Sequence, residues 1–388
     1  MFWPQTRPTL HDGRGLPAQA GAAPQCTYSK WTGDFMSKTL EATETEAAYG
    51  AGPSAIGCEQ GVHKSRPRIA LLSNPNSTGN LAQLPRIREF CADHPDIFHY
   101  EVENVAQIGE AMKTIARVRP KVLAINGGDG TVQAALTEIY NGDHFGDERP
   151  PVAVLPSGKT NLIALDLGAK NDPIETLEHL IELARTDLGP HTVARELIAL
   201  RHGDGEERPV IGMFLGGAGL ADTMLYCRHK IYPLGLPNGF AHVLTAGAFL
   251  MKVFLGIKAS FLPPDPKPLQ VSVHENGGKI TGRFSLLAVT TLEKLLITNP
   301  FDEGHSGTLK LLAIEQRASS MIGAIFAHLG GKLGQSTVRG VHFEKADGLT
   351  IESESSNIIL DGETFCAEAG RPIHLYPARP LAFVKLAA

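Results

Sequence analysis

The stretch from Lys121 to Thr131, Lys-Val-Leu-Ala-Ile-Asn-Gly-Gly-Asp-Gly-Thr, constrains the fold more than any other. Val122 to Ile125 is an apolar run that reads as a short buried strand. It ends at Gly127-Gly128-Asp129-Gly130-Thr131, after which Val132, Ala135, Leu136 and Ile139 repeat at helical intervals. A strand that feeds a glycine turn opening a helix collects free backbone N–H groups and the positive end of a helix at one point. Such a point binds phosphate. Asp129 is placed to face a metal and Thr131 to hydrogen-bond a phosphate oxygen, and three glycines in four residues let the backbone approach a ligand closely.

The pattern recurs upstream and downstream. Ile69 to Leu72 reads as a strand ending in the turn-rich loop Asn74-Pro75-Asn76-Ser77-Thr78-Gly79-Asn80, and helical periods run from Leu84 into Cys91 and from Ile108 to Val118. Pro151 to Leu155 is a further apolar strand, followed by Pro156-Ser157-Gly158-Lys159-Thr160-Asn161 and by helices near 162–168 and 173–186. Strands alternating with helices predict a parallel sheet covered on both faces, with ligands at the carboxyl ends of the strands. Near residue 192 the texture changes. Segments 193–200, 210–215, 269–274, 284–291, 307–314, 349–352 and 357–360 are short, often alternating and bounded by turn residues, which predicts an antiparallel β domain. Helix-like interruptions fall near 220–258 and 318–333. Residues 1–65 are rich in Gly, Ala, Thr, Pro and Ser without sustained periodicity and read as a disordered tail, with Met36 nearer the ordered region.

Bulk composition narrows the function classes. Forty-three per cent hydrophobic and 20% charged residues describe a globular protein. With 36 basic and 41 acidic residues the net charge is −5, which argues against a nucleic-acid partner. The five cysteines are scattered without C-x-x-C spacing, which argues against a disulfide framework or zinc site and for a reducing, cytoplasmic compartment. The start lacks a secretory h-region. No window approaches the roughly 18–20 apolar residues of a spanning helix; Leu244 to Leu255 is short and carries Lys252.

Three blocks in order, Asn74-Pro75-Asn76-Ser77-Thr78-Gly79, Gly127-Gly128-Asp129-Gly130-Thr131 and Leu360-Asp361-Gly362-Glu363, resemble the diacylglycerol kinase catalytic-domain family, which includes soluble bacterial lipid kinases and sphingosine kinases. The middle block is shared with NAD kinases and phosphofructokinases; the last, after a β domain, points to the lipid-kinase branch. The resemblance covers about 66–388. It implies an α/β nucleotide-binding domain (66–191), a β-sandwich-like lipid-substrate domain (192–374) and a final segment (375–388) returning to the first domain, with ATP in the cleft. The third loop departs from the family's Pro-x-Gly-Thr-x-Asn-Asp: Pro156, Gly158 and Asn161 fit, whereas Lys159 and Leu162 replace the Thr and the Asp. Gly217-Ala218-Gly219-Leu220-Ala221-Asp222 echoes another family block, and Ser306-Gly307 lacks the aspartate of a structural magnesium site.

The chemistry implied is phosphoryl transfer from ATP with Mg²⁺, which requires positioning, charge stabilisation and a base near the accepting hydroxyl. Asn74 and Ser77, the 127–131 turn, and Gly158, Lys159, Thr160 and Asn161 form the expected nucleotide cradle; Asp129 is the expected metal ligand. Asp361, Glu363 and Asp129 are alternative sources of the base. Asp361-Gly362 also reads as a hairpin turn. His229, His305 and His328 show no ligand spacing. Phe240, Val243, Leu244, Ala248, Met251, Phe254 and Leu255 fall at helical intervals near Lys252 and Lys258, a face suited to a lipid substrate at a membrane surface, with Met321 to Phe326 as its other side; the alternative is a core-facing stripe. A homodimer with peripheral membrane contact completes the expectation. Two rival readings are an NAD kinase, disfavoured because Leu162 rather than Glu follows Asn161, and a nucleotide- or lipid-binding protein without turnover.

Overall fold

The computed structural model describes residues 68–386 apart from 147, 171, 204, 206, 237, 257–258, 260, 275–277, 294–306 and 331–337. The expected tail, Lys258, His305 and Ser306 lie outside the described residues. The chain begins as β1 (Ile69–Ser73), α1 (Asn80–Asp93), β2 (Ile97–Glu101), α2 (Ile108–Val118), β3 (Val122–Gly127), α3 (Asp129–Asn141), β4 (Val152–Pro156), α4 (Leu162–Asp166) and α5 (Pro173–Arg185). The four strands are parallel in the order β2-β1-β3-β4. β1, β3 and β4 are buried along their whole lengths, because helices cover both faces: α1 packs beside α5 and α2 beside α3. The strand order reverses between β1 and β3, so their carboxyl ends open a crevice at residues 73–74 and 127–128.

The second half supplies β5 (Thr192–His202), β6 (Val210–Gly212), β7 (Phe214–Gly217), α6 (Gly219–Tyr226), α7 (Asn238–Leu255), β8 (Leu269–Val273), β9 (Lys279–Gly282), β10 (Phe284–Thr290), β11 (Leu309–Glu315), α8 (Ala318–Leu329), β12 (Val341–Ala346), β13 (Leu349–Ser353), β14 (Ser355–Leu360), β15 (Glu363–Glu368) and β16 (Ile373–Val384). Six of these make an antiparallel sheet, β12-β11-β10-β7-β14-β15. It packs against β8, β13 and the first part of β16, and residues such as Leu215, Leu287, Leu311, Ile358, Val271, Leu349 and Leu375 fill the space between the two layers. The expected fold class, an α/β nucleotide-type domain with a second antiparallel β domain, is the fold observed.

Two strands join the halves. β16 runs antiparallel to β5 and β13 and, after a register shift between Ala378 and Leu381, pairs in parallel with β4 through Phe383 and Val152. β5 buries both faces: Leu197 and Ala199 enter the core of the parallel sheet, and Ile198 and Leu200 enter the sandwich. That is why its sequence is a continuous apolar run rather than an alternating one.

Two expected elements are divided. Residues 210–215 form β6 and β7, broken at Met213, whose amide turns to the Asp361 carboxylate. The helical stretch 220–258 is interrupted by one π turn (Cys227–Ile231) and one 3-10 turn (Tyr232–Leu234), where Pro233 lacks the N–H that would continue the helix. β2, β9, β12 and β15 carry short or half-buried sequences that the apolar pattern does not mark.

Candidate active site

The floor of the crevice is a buried lattice of short polar side chains. Asn80 donates through Nδ2 to the carbonyls of Asn74 (2.8 Å) and Asn126 (3.0 Å), and Asn126 Nδ2 donates to Ser73 Oγ (2.9 Å) while the Ser157 hydroxyl donates to Asn126 Oδ1. These bonds bring the loops after β1, β3 and β4 into contact. Asn74 Nδ2 reaches Thr131 Oγ1 (2.9 Å), and Ser77 Oγ accepts the Gly128 amide (2.9 Å). Both side chains therefore hold the glycine turn in shape. Asn161, in the left-handed region at φ 53°, accepts the Gly158 amide on Oδ1 (2.7 Å) and closes its own loop. A Cβ on Gly158 would stand 3.0 Å from the Gly128 Cα, so glycine is required for the two loops to approach.

α3 begins at Asp129 behind Gly128, and the amides of Asp129 and Gly130, in its first turn, have no intrahelical acceptor. The Asp129 carboxyl is raised above the usual aspartate range by burial, against the opposing hydrogen bond from Thr160. The Lys159 ammonium sits 3.5 Å from the Tyr232 ring centroid, so its charge is carried at the mouth on an aromatic face. Leu162 opens α4.

The third block closes the crevice from the other half of the chain. Leu360 and Glu363 pair across the β14–β15 hairpin, and Asp361 (φ 42°) and Gly362 (φ 91°) make its two-residue turn. The turn lies on the amino end of α3. A Cβ on Gly130 would lie 2.5 Å from Glu363 Oε1, and one on Gly362 would lie 3.6 Å from the Asp129 Cβ. Glu363 is exposed. Asp361 is buried, accepting the Met213 amide on Oδ2 (2.7 Å) and the Phe214 amide on Oδ1 (3.0 Å). Burial pushes its carboxyl up to about 8; the two amides oppose the shift and the nearby Asp129 charge adds to it.

The sequence-expected site residues meet at one crevice, though not all face it alike: Asn74 and Ser77 bond to the 128–131 turn, Asn161 closes its own loop, Thr160 binds Asp129, and Lys159 lies on Tyr232. Reading the sequence did not single out Arg228 and Tyr232, which the interrupted helix places here. Arg228 Nη2 donates to the Gly362 carbonyl (2.7 Å). The basic triplet Arg228-His229-Lys230 directly after α6 was the available signal. His229 and His328 are exposed. Among the described residues no group of three or more His, Cys, Asp or Glu converges as a metal cage. Magnesium carried by a nucleotide needs only one or two protein carboxylates beside the phosphates, and Asp129 fits that demand.

Residues 68–190 match the model of the diacylglycerol kinase catalytic domain. The chain is also similar to solved structures from Bacillus anthracis str. Sterne: a diacylglycerol kinase at 17% identity and TM-score 0.52, and two further structures provisionally named diacylglycerol kinases at 18% and 17% identity and TM-scores 0.55 and 0.54. Each match covers 82% of this chain and 97% of the other, so the likeness of fold includes both halves. No curated relative matches the sequence.

Proposed function

We propose that the protein is an ATP- and magnesium-dependent lipid kinase that transfers the γ-phosphate to a hydroxyl of a diacylglycerol-like or sphingoid lipid. The observation that supports this reading is the seating of the Asp361-Gly362-Glu363 turn on the first turn of α3, which puts an exposed carboxylate beside a helix terminus of the kind that suits phosphate. The 127–131 turn and the 158–161 loop hold the phosphates, and Lys159 adds positive charge at the mouth. Asp129 holds the magnesium, which neutralises charge on the phosphates when bound. Glu363 takes the proton of the accepting hydroxyl. Asp361, with both oxygens on backbone amides, positions the turn that carries Glu363. The nucleotide reading assigns the α/β half to ATP and the β half with its helices to the lipid.

Lipid delivery fits the surface. α7 exposes Phe240, Val243, Leu244, Met251 and Phe254, and α8 exposes Ile322, Ile325, Phe326 and Leu329. Phe249 and Val253 of α7 pack on the cluster of Met321 and Ala324, so the helices are anchored by one face and bare on the other. Neither helix contains an acidic residue. Such a face suits peripheral contact with a bilayer. Among the described residues no helix is long and apolar enough to cross one.

Incubation with radiolabelled ATP and a panel of diacylglycerol, monoacylglycerol, ceramide, sphingosine and NAD tests the assignment. Label is expected in a lipid, lost with Asp129→Ala. Label in NAD alone, or none despite ATP binding, overturns it.

A further inference from the structure

Lys159 and Tyr232 meet across the mouth of the crevice from different halves of the chain. Lys159 belongs to the loop after β4, one residue beyond Gly158, whose backbone abuts Gly128 of the glycine turn. Tyr232 opens the 3-10 turn in the interruption between α6 and α7. The Lys159 ammonium lies 3.5 Å from the ring centroid, well inside the ~6 Å over which an aromatic face attracts a cation.

The ring is a fixed platform. It packs on the cluster of Cys227, Ile231 and Ala241, and the His242 ring meets it edge-on with centroids 6.0 Å apart. Burial raises the phenol, Cys227 and Asp129 add to the shift and Arg228 opposes it, so the ring stays uncharged within electrostatic reach of Asp129. Asp129 is the carboxylate that could compete for this ammonium. It instead accepts a hydrogen bond from Thr160, the next residue of the same loop. The cation is thereby held near the glycine turn without occupying the carboxylate suited to magnesium. An ammonium has three N–H donors, and a ring face engages it on one side only, leaving donors for a phosphate. A lysine loses much rotamer freedom when a ligand orders it. A ring that orders it beforehand removes that cost from binding.

We propose that Tyr232 is a positioning residue: its ring face holds the Lys159 ammonium at the mouth, off Asp129, so that nucleotide phosphates meet a cation already in place. The inference rests on the nucleotide reading of the crevice and extends it to the interrupted helix. Calorimetric titration of the full chain with ATP and with adenosine tests it. The variants are Tyr232→Phe, a ring-fluorinated phenylalanine at the same position, Tyr232→Leu, Lys159→Gln, and the last two combined. Fluorine removes the negative character of the ring face and nearly keeps its shape. Tyr232→Phe should bind ATP as the native protein does. The fluorinated ring and Tyr232→Leu should each weaken ATP binding about three- to tenfold, the range of a partly exposed cation–π contact. Lys159→Gln should cost at least as much, and Tyr232→Leu should add nothing to it, because the ring acts through the lysine. Adenosine, which lacks phosphates, should bind all variants alike. If Tyr232→Leu loses adenosine as well, the fluorinated ring decides. Equal ATP affinity with plain and fluorinated rings, additive losses in the combined variant, or tighter ATP binding by Tyr232→Leu overturns the positioning role. Native ATP binding in those cases leaves the nucleotide reading standing. No ATP binding by the native protein overturns both.

Discussion

Asp361→Asn isolates the charge of the hairpin carboxylate while keeping its shape. In the native protein the side chain is buried, and burial pushes its carboxyl from the ordinary aspartate value of 3.8 up to about 8. Between those values the folded chain keeps a proton that the unfolded chain has released. The folded state therefore binds more protons, and stability falls as pH rises through this window, the loss being complete above the folded value. At about 1.4 kcal/mol per pH unit, this group's contribution has dropped by roughly 1.6 kcal/mol at pH 5 and by roughly 4 kcal/mol at pH 7. Asparagine carries no such dependence. It introduces an opposing loss, because its NH₂ faces the amide of Met213 or Phe214 donor to donor, a mismatch of about 1–3 kcal/mol. The variant should accordingly be level with or below the native protein at pH 5 and more stable at pH 7, by about 1–3 kcal/mol. Urea unfolding of both proteins at pH 5, 6 and 7 measures the crossing. A constant gap across the three pH values would refute the claim that this buried carboxyl holds its proton.

Glu363→Gln should lower kcat by about 10²–10⁴ while the KM for ATP stays within a few-fold, since the role proposed for this group is on the acceptor hydroxyl and not on the nucleotide. Steady-state kinetics with kcat within threefold of native would remove Glu363 as the base. Val243→Glu, at a position 69% exposed on α7, should leave folding stability within about 0.5 kcal/mol and reduce co-sedimentation with anionic phospholipid vesicles about tenfold. Undiminished sedimentation would show that this face does not meet the bilayer.

Much of the fold was legible because its signals are local. Apolar runs of four or five residues, each followed by a turn-rich loop, marked β1, β3 and β4, and the helical period of Ile108 to Val118 marked α2 at its observed limits. Strands with weaker contrast escaped: β2 reads Ile-Phe-His-Tyr-Glu and is mostly half-buried, so neither alternation nor a continuous run stands out. β12 is half-buried over five of its six residues for the same reason. The candidate site divides likewise. That Asp129 opens a helix after a glycine turn follows from neighbours in sequence. That Thr160 rather than solvent meets its carboxyl, and that Tyr232 takes the Lys159 ammonium, depends on residues more than 30 and 70 positions away. Asp361-Gly362 proved to be a hairpin turn and also a wall of the crevice, two roles that exclude each other only on paper.

From the chain alone came the glycine turn that opens α3, the alternation that demands a parallel sheet, and the residue types from which a phosphotransferase could be built. All of these depend on backbone amides, glycine conformations and apolar periodicity within a dozen residues. Tertiary structure alone decided that β5 and β16 weld the two halves, that the 361–363 hairpin lands on the amino end of α3 some 230 residues earlier, and that Asp361 loses its solvent while Glu363 keeps it. Burial and long-range contact are properties of the packed chain, and they determine which of two neighbouring carboxyls stays reachable from solvent.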